Sequence, residues 1–317
     1  MEIGGYIEFP HYDGQLLHDN GIALNSARNC LAYLIEAKRI TKIVLPKFLC
    51  DSVYLICKKY NVKVRYYSIT EKFRPEKLEL ENDEWLYLVN YYGQLGNQEI
   101  SEYHQIFGRV VVDNVQAYFQ EPVPGVDTIY TCRKFFGVPD GAFLYTETNI
   151  SRPLIQDKSA DRMKHLLGRY ENTASDYYLA YTENEKALEH LPLRRMSKLT
   201  ENLLRSMDYP RIRMMREENY LRLDKKFSSI NKLNLKTPVG PFMYPLYLSN
   251  GYKIRKELQK RKIYIPTLWP DVFDICSDNE LESDMAKNIL PLPCDQRYQV
   301  DDMNWMGNMI SNLIEEG

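Results

Sequence analysis

The stretch Arg109-Val110-Val111-Val112-Asp113-Asn114-Val115-Gln116-Ala117 runs three consecutive valines into a carboxylate. A short β-branched apolar run of this kind reads as a buried strand. In open α/β sheets, ligands bind outside the carboxyl ends of the strands. Asp113 is therefore placed where a charged group of a bound molecule would meet it. Asp is also a common turn and cap residue, so taken alone Asp113 marks a position and no more.

Outward from this strand the chain alternates. Ser26 is suited to cap a helix running to about Lys38, with Leu31, Leu34 and Ile35 on its apolar face. Lys42-Ile43-Val44-Leu45 is a short strand stopped by Pro46. Asp51 is suited to cap a second helix carrying Val53, Ile56, Cys57 and Tyr60. Further strands are predicted from Val62 to Ile69, from Trp85 to Tyr91 and from Ala142 to Thr146. Beyond residue 150 the texture becomes charged and helical, from about Asp161 to Leu223. A Pro-rich segment, Thr237 to Pro241, leads into strand-like Tyr244 to Leu248, a helix from Tyr252 to Lys262 and a strand at Ile263-Tyr264-Ile265. Met303, Met306, Ile310 and Leu313 form one face of a final helix. The pattern predicts an α/β fold: a mostly parallel sheet sandwiched by helices over residues 1–220, with a smaller C-terminal α+β domain over 221–317.

Composition excludes several classes. The chain has 317 residues, 26% charged and 44% hydrophobic, with a formal net charge of -2. A dedicated nucleic-acid binder needs surplus cations to displace phosphate counterions, and none is present. No apolar run approaches the ~20 residues of a membrane helix. Met1-Glu2-Ile3-Gly4-Gly5 has neither the positive region nor the apolar stretch of a leader. The six cysteines, Cys30, Cys50, Cys57, Cys132, Cys276 and Cys294, make no CxxC pair and read as reduced thiols of a cytoplasmic protein. The five histidines show no paired ligand spacing, so no metal site is expected.

Two further segments carry chemistry. Tyr130-Thr131-Cys132-Arg133-Lys134-Phe135-Phe136-Gly137-Val138-Pro139-Asp140-Gly141 sets a lysine beside another cation and two aromatic rings, ahead of a Pro-Asp-Gly turn. Such surroundings lower a lysine pKa and expose a neutral amine nucleophile, although most lysines are simply solvated. Ser26-Ala27-Arg28-Asn29 opens a helix, where free backbone amides and the positive helix end favour a phosphate.

In order and spacing these pieces resemble the DegT/DnrJ-like sugar aminotransferases, pyridoxal 5'-phosphate (PLP) enzymes of the aspartate-aminotransferase fold. Ser26-Ala27 matches the family's phosphate-binding turn, and Leu45-Pro46-Lys47-Phe48-Leu49-Cys50 its Pro-containing segment. Asn90-Tyr91-Tyr92-Gly93-Gln94 resembles its His-x-Tyr-Gly-Gln segment, and Asp113-Asn114-Val115-Gln116-Ala117 its Asp-x-Ala-(His/Gln)-Ala motif. Lys134 followed by Pro139-Asp140-Gly141 has the spacing from the Schiff-base lysine to Gly-Glu-Gly, and Arg195-Met196-Ser197 resembles the Arg-Met-(Ser/Thr) opening of the long helix.

The resemblance implies an aminotransferase that moves an amino group from a donor such as glutamate to a keto group on a nucleotide-linked sugar, through a Lys134 Schiff base. Asp113 would pair with the pyridinium nitrogen, Gln116 with the ring oxygen, and Ser26, Ala27, Arg28 and Thr131 with the phosphate. Phe48 or Tyr92 would stack on the ring, since Cys50 aligns with the family's stacking aromatic. Trp269, Arg297, Tyr298 and Arg195 would meet substrate, and a second subunit would complete a homodimer. Two departures stand out: Leu193 replaces an Asn that reaches the partner's phosphate, and Pro139-Asp140-Gly141 replaces Gly-Glu-Gly. They leave open a degenerate protein of this fold that binds a ligand or partner without turnover.

Overall fold

A computed structural model describes residues 3–316. Met1 and Glu2, at the head of the segment read as lacking a leader, and Gly317, at the end of the expected second domain, lie outside the described residues. The first layer is built from β1 (Ile22–Leu24), α1 (Ala27–Lys38), β2 (Lys42–Pro46), α2 (Asp51–Lys59), β3 (Lys63–Tyr67), β4 (Glu84–Val89), α3 (Asn97–Phe107), β5 (Val110–Asp113), β6 (Asp127–Thr131) and β7 (Ala142–Tyr145). Its strands form one sheet in the order β1-β7-β6-β5-β4-β2-β3. Pairings among β2 to β6 are parallel, and β7 is antiparallel to both β6 and β1. This is the mostly parallel, helix-covered sheet that the alternation predicts.

β5 is central. Asp113 pairs in register with Val89 of β4 and Ile129 of β6. Val110, Val111 and Val112 are almost wholly buried, each contributing about 2 kcal/mol of apolar burial. Burial on both faces explains the unbroken valine run, because a strand covered on both sides has no solvent face to make polar. α1 begins as the sequence predicts: the Ser26 hydroxyl accepts from the Asn29 amide at 3.3 Å. α2 differs. Asp51 is its first residue and Cys50 holds the cap position, with no side-chain cap bond.

The second half carries α4 (Lys164–Glu171), α5 (Tyr178–His190), α6 (Lys198–Arg205) and α7 (Tyr209–Phe227), then β8 (Met243–Tyr247), α8 (Gly251–Lys260), α9 (Val272–Ile275), α10 (Leu281–Asn288), β9 (Ile289–Pro293) and α11 (Val300–Glu315). β8 and β9 pair antiparallel as a separate two-stranded sheet, packed with Tyr220, Leu223 and Phe227 of α7 and Met303, Met306 and Ile310 of α11. Trp269, Val272 and Met285 instead join the core of the large sheet. The strand expected at Ile263-Tyr264-Ile265 does not form. Its β-branched residues follow the left-handed Lys262 (φ 60°) and meet no sheet edge.

The loop after β6 is closed by the Cys132 amide bonding the Gly141 carbonyl at 3.0 Å. The Gly141 amide in turn donates to the Asn25 carbonyl at 2.9 Å, just ahead of α1. Gly141 has φ +111°, and a Cβ there would lie 2.8 Å from Thr200 Cγ2 and 3.3 Å from Cys132 Sγ. Asp140, fully buried, accepts from the Ser197 amide at 2.9 Å, the Ser197 hydroxyl at 2.7 Å and the Thr200 hydroxyl, fixing the start of α6 against this turn. Gly141→Ala should therefore lower stability by about 2 kcal/mol in urea unfolding followed by circular dichroism; an unchanged midpoint would contradict the strained turn.

Candidate functional site

The carboxyl ends of β5 and β6 bring Asp113 and the lysine loop together. Asp113 is 4% exposed. Its Oδ2 accepts from the Tyr87 hydroxyl at 2.8 Å and its Oδ1 from the Val115 amide at 3.0 Å. Burial pushes its pKa up, while Lys134, the Val115 amide and Tyr87 pull it down. Lys134 is exposed on the loop that follows β6. Desolvation lowers its pKa, Asp113 and Cys50 act against that, and the neighbouring Arg133 adds to it. Its Nζ lies 5.5 Å from the centre of the Phe242 ring. A lysine of lowered pKa offers more neutral amine at pH 7 than an ordinary one.

Gln116, buried three residues beyond Asp113, accepts the Tyr92 amide at 2.7 Å through Oε1. That bond fixes the amide's orientation, so what the side chain still offers is a donor. Asn114 between them is held by Asn90 at 3.0 Å and by the Tyr130 hydroxyl at 3.2 Å.

The α1 N-terminus stands beside the lysine loop through the Asn25–Gly141 bond. Its first turn contains no acidic residue, so the positive helix end is not neutralised from within the helix. Ser26 is buried at the cap, Ala27 and Arg28 are half-buried, and Thr131 is buried at the end of β6. Arg28 acts electrostatically on both Arg133 and Asp51. Arg133 forms an ion pair with Glu185 of α5. Burial pushes its pKa down to about 10, with repulsion from Arg28 and Arg162 adding to the effect and Tyr181 and Asp140 opposing it. Cations thus gather at the helix end and a carboxylate stands at the strand end.

The remaining predicted residues divide. Of Phe48, Cys50 and Tyr92, only Cys50 is half-exposed, and it is close enough to act on Lys134. Phe48 and Tyr92 are buried against Trp269, at ring separations of 4.5 and 6.1 Å. Arg195 is exposed, its backbone bridged to Leu24 and Gln156. Leu193 is 7% exposed, and Arg194 is paired with Asp157 at 3.3 Å. Arg297 is held by Asp295 through contacts of 2.7 and 2.8 Å and lies over the half-buried Tyr298. Their segment reaches the lysine loop through a neighbour, Gln296, whose amide donates to the Phe135 carbonyl at 2.8 Å. Tyr87 and Phe242 had no sequence signal, because strand register and a distant loop bring them to Asp113 and Lys134.

No protein-family model matches the chain, and no curated protein matches it in sequence. Solved structures match its fold along nearly the whole length. S. venezuelae DesV in complex with a ketimine intermediate matches with TM-score 0.66 and 13% identity, over 92% of this chain and 84% of that one. NtdA from Bacillus subtilis with bound cofactor PMP matches with TM-score 0.66 and 10% identity, over 93% and 73%. Helicobacter pylori PseC, an aminotransferase involved in the biosynthesis of pseudoaminic acid, matches with TM-score 0.61 and 14% identity, over 93% and 86%. At such identities the likeness is one of architecture, and the chain carries the PLP-transferase fold that these structures share.

Proposed function

We propose that this chain is a PLP-dependent aminotransferase of the DegT/DnrJ type, passing an amino group from a donor such as glutamate to a keto group on a nucleotide-linked sugar. One arrangement carries the reading: Lys134, on the loop after β6, stands close enough to the buried strand-terminal Asp113 for the two to act on each other electrostatically. The residues present fit the cofactor. A carboxylate offers about four acceptor sites, and two protein groups hydrogen-bond Asp113. A protonated ring nitrogen is the donor that would favour its charged form. The Ser26-Ala27-Arg28 turn, Thr131 and Arg133 suit a phosphate dianion. Gln116 offers an N–H to a ring oxygen, and Cys50 a small face where the resembled family stacks an aromatic.

When bound, PLP supplies an aldehyde that holds the amino group and a protonated ring that draws electrons from the adjacent carbon. Asp113 keeps the ring nitrogen protonated. Lys134 holds the cofactor and moves a proton at Nζ, a role its lowered pKa favours near neutral pH. Arg28 and Arg133 supply, from within the subunit, cations at a phosphate position that Leu193 cannot serve from a partner. Arg195, Arg297, Tyr298 and Trp269 are assigned to the substrate side. The fold's usual second subunit and the reduced cysteines support a cytoplasmic homodimer.

Purified protein mixed with PLP should turn yellow, and borohydride should fix the cofactor on the peptide containing Lys134. Glutamate should bleach the colour. A yellow protein that no amino donor bleaches would favour the binding protein without turnover. Lys134→Ala should abolish the fixed adduct; an adduct surviving at another lysine would remove the assignment. Asp113→Asn should still bind PLP but lose at least about a hundredfold in glutamate half-reaction rate; an unchanged rate would remove Asp113 from its role.

A further inference from the structure

Arg216 on α7 is 1% exposed, an uncommon state for a guanidinium. A buried charge needs a partner, and the nearby carboxylate, Asp295, is engaged by Arg297 at 2.7 and 2.8 Å. Arg216 instead spends its donors on neutral acceptors. Nε donates to Gln296 Oε1 at 2.7 Å, Nη1 to the Pro241 carbonyl at 2.8 Å, and Nη2 to the Phe135 carbonyl at 3.2 Å. Its guanidinium also lies 4.6 Å from the Phe135 ring centre. Gln296 repeats the contact to the Phe135 carbonyl at 2.8 Å.

Each of these acceptors lies on a segment that meets the lysine loop. Phe135 follows Lys134 directly. Pro241 precedes Phe242, whose ring stands 5.5 Å from Nζ. Gln296 lies between the Asp295–Arg297 pair on the segment after β9. We propose that Arg216 is a positioning residue for Lys134: one rigid fork ties the lysine loop, the Phe242 loop and the 295–298 segment into a single wall against which the amine is held. This rests on reading Lys134 as the cofactor-bearing lysine. A planar guanidinium suits the task because its donors point in fixed directions.

The titratable groups acting on Lys134 are Asp113 at the end of β5, Cys50 at the head of α2 and Arg133 on its own loop. Arg216 is not among them, so it works through packing. Opening the wall should let the amine recover its ordinary basicity. The sign follows: a higher pKa leaves less neutral amine at pH 7.

The test labels the lysines of the full-length, cofactor-free protein with acetic anhydride across pH, with each site followed by peptide mass spectrometry. In Arg216→Met the Lys134 profile should move to higher pH, leaving about tenfold less free amine at pH 7. Gln296→Leu, a milder change should the first variant not fold, should move it the same way by about threefold. Lys47, paired with Glu280, should keep its profile. A wild-type Lys134 profile in either folded variant would overturn the proposal. So would a shift shared by Lys47, the signature of general loosening. Because no PLP is present, the result stands apart from the borohydride experiment: an adduct elsewhere would sink the cofactor reading without touching the role of Arg216 in the wall.

Discussion

An amine on the loop after β6 and a carboxylate at the end of β5 stand within electrostatic reach of each other, and the rest of the site is arranged around that pairing. Burial alone would leave both neutral, since it raises an acid and lowers a base. Each is instead drawn toward its charged form by the other. A balance of this kind responds to what is bound beside the pair. A cation placed on Asp113 would deepen its ionisation, and a carbonyl carbon presented to Lys134 would consume its neutral form.

The scaffold keeps the two groups apart and aligned by backbone means. Parallel pairing fixes Asp113 between Val89 and Ile129. The lysine loop is closed on itself through Cys132 and Gly141 and joined to Asn25 ahead of α1. Asp140 then locks that turn to α6. The helix end, the lysine loop and the start of α6 are therefore tied by one hydrogen-bonded network. Pro139-Asp140-Gly141 has a structural meaning of its own here: its acid is consumed by Ser197 and Thr200, and its glycine occupies a backbone conformation that side chains rarely adopt.

Much of this was legible because it is local. The valine run of β5, the Ser26 cap and the turn after Lys134 each declare themselves within a few residues. What was not legible depends on register and distance. Tyr87 meets Asp113 from the adjoining strand. Arg216, in the charged run Arg213-Met214-Met215-Arg216-Glu217-Glu218, looks like any solvated helix residue. Ile263-Tyr264-Ile265 has strand composition but no edge to pair with, and pairing, not composition, makes a strand. Phe48, Tyr92 and Trp269 were identified as aromatic, yet their burial against one another emerges only from packing across residues far apart in the chain.

The most direct measurement is a crystal structure of the protein grown with PLP. The account predicts continuous density from Lys134 Nζ to the cofactor, the ring nitrogen within hydrogen-bond reach of Asp113, and the phosphate at the Ser26-Ala27-Arg28 turn. Lys134 directed into bulk solvent, with the cofactor absent or bound away from Asp113, would contradict it.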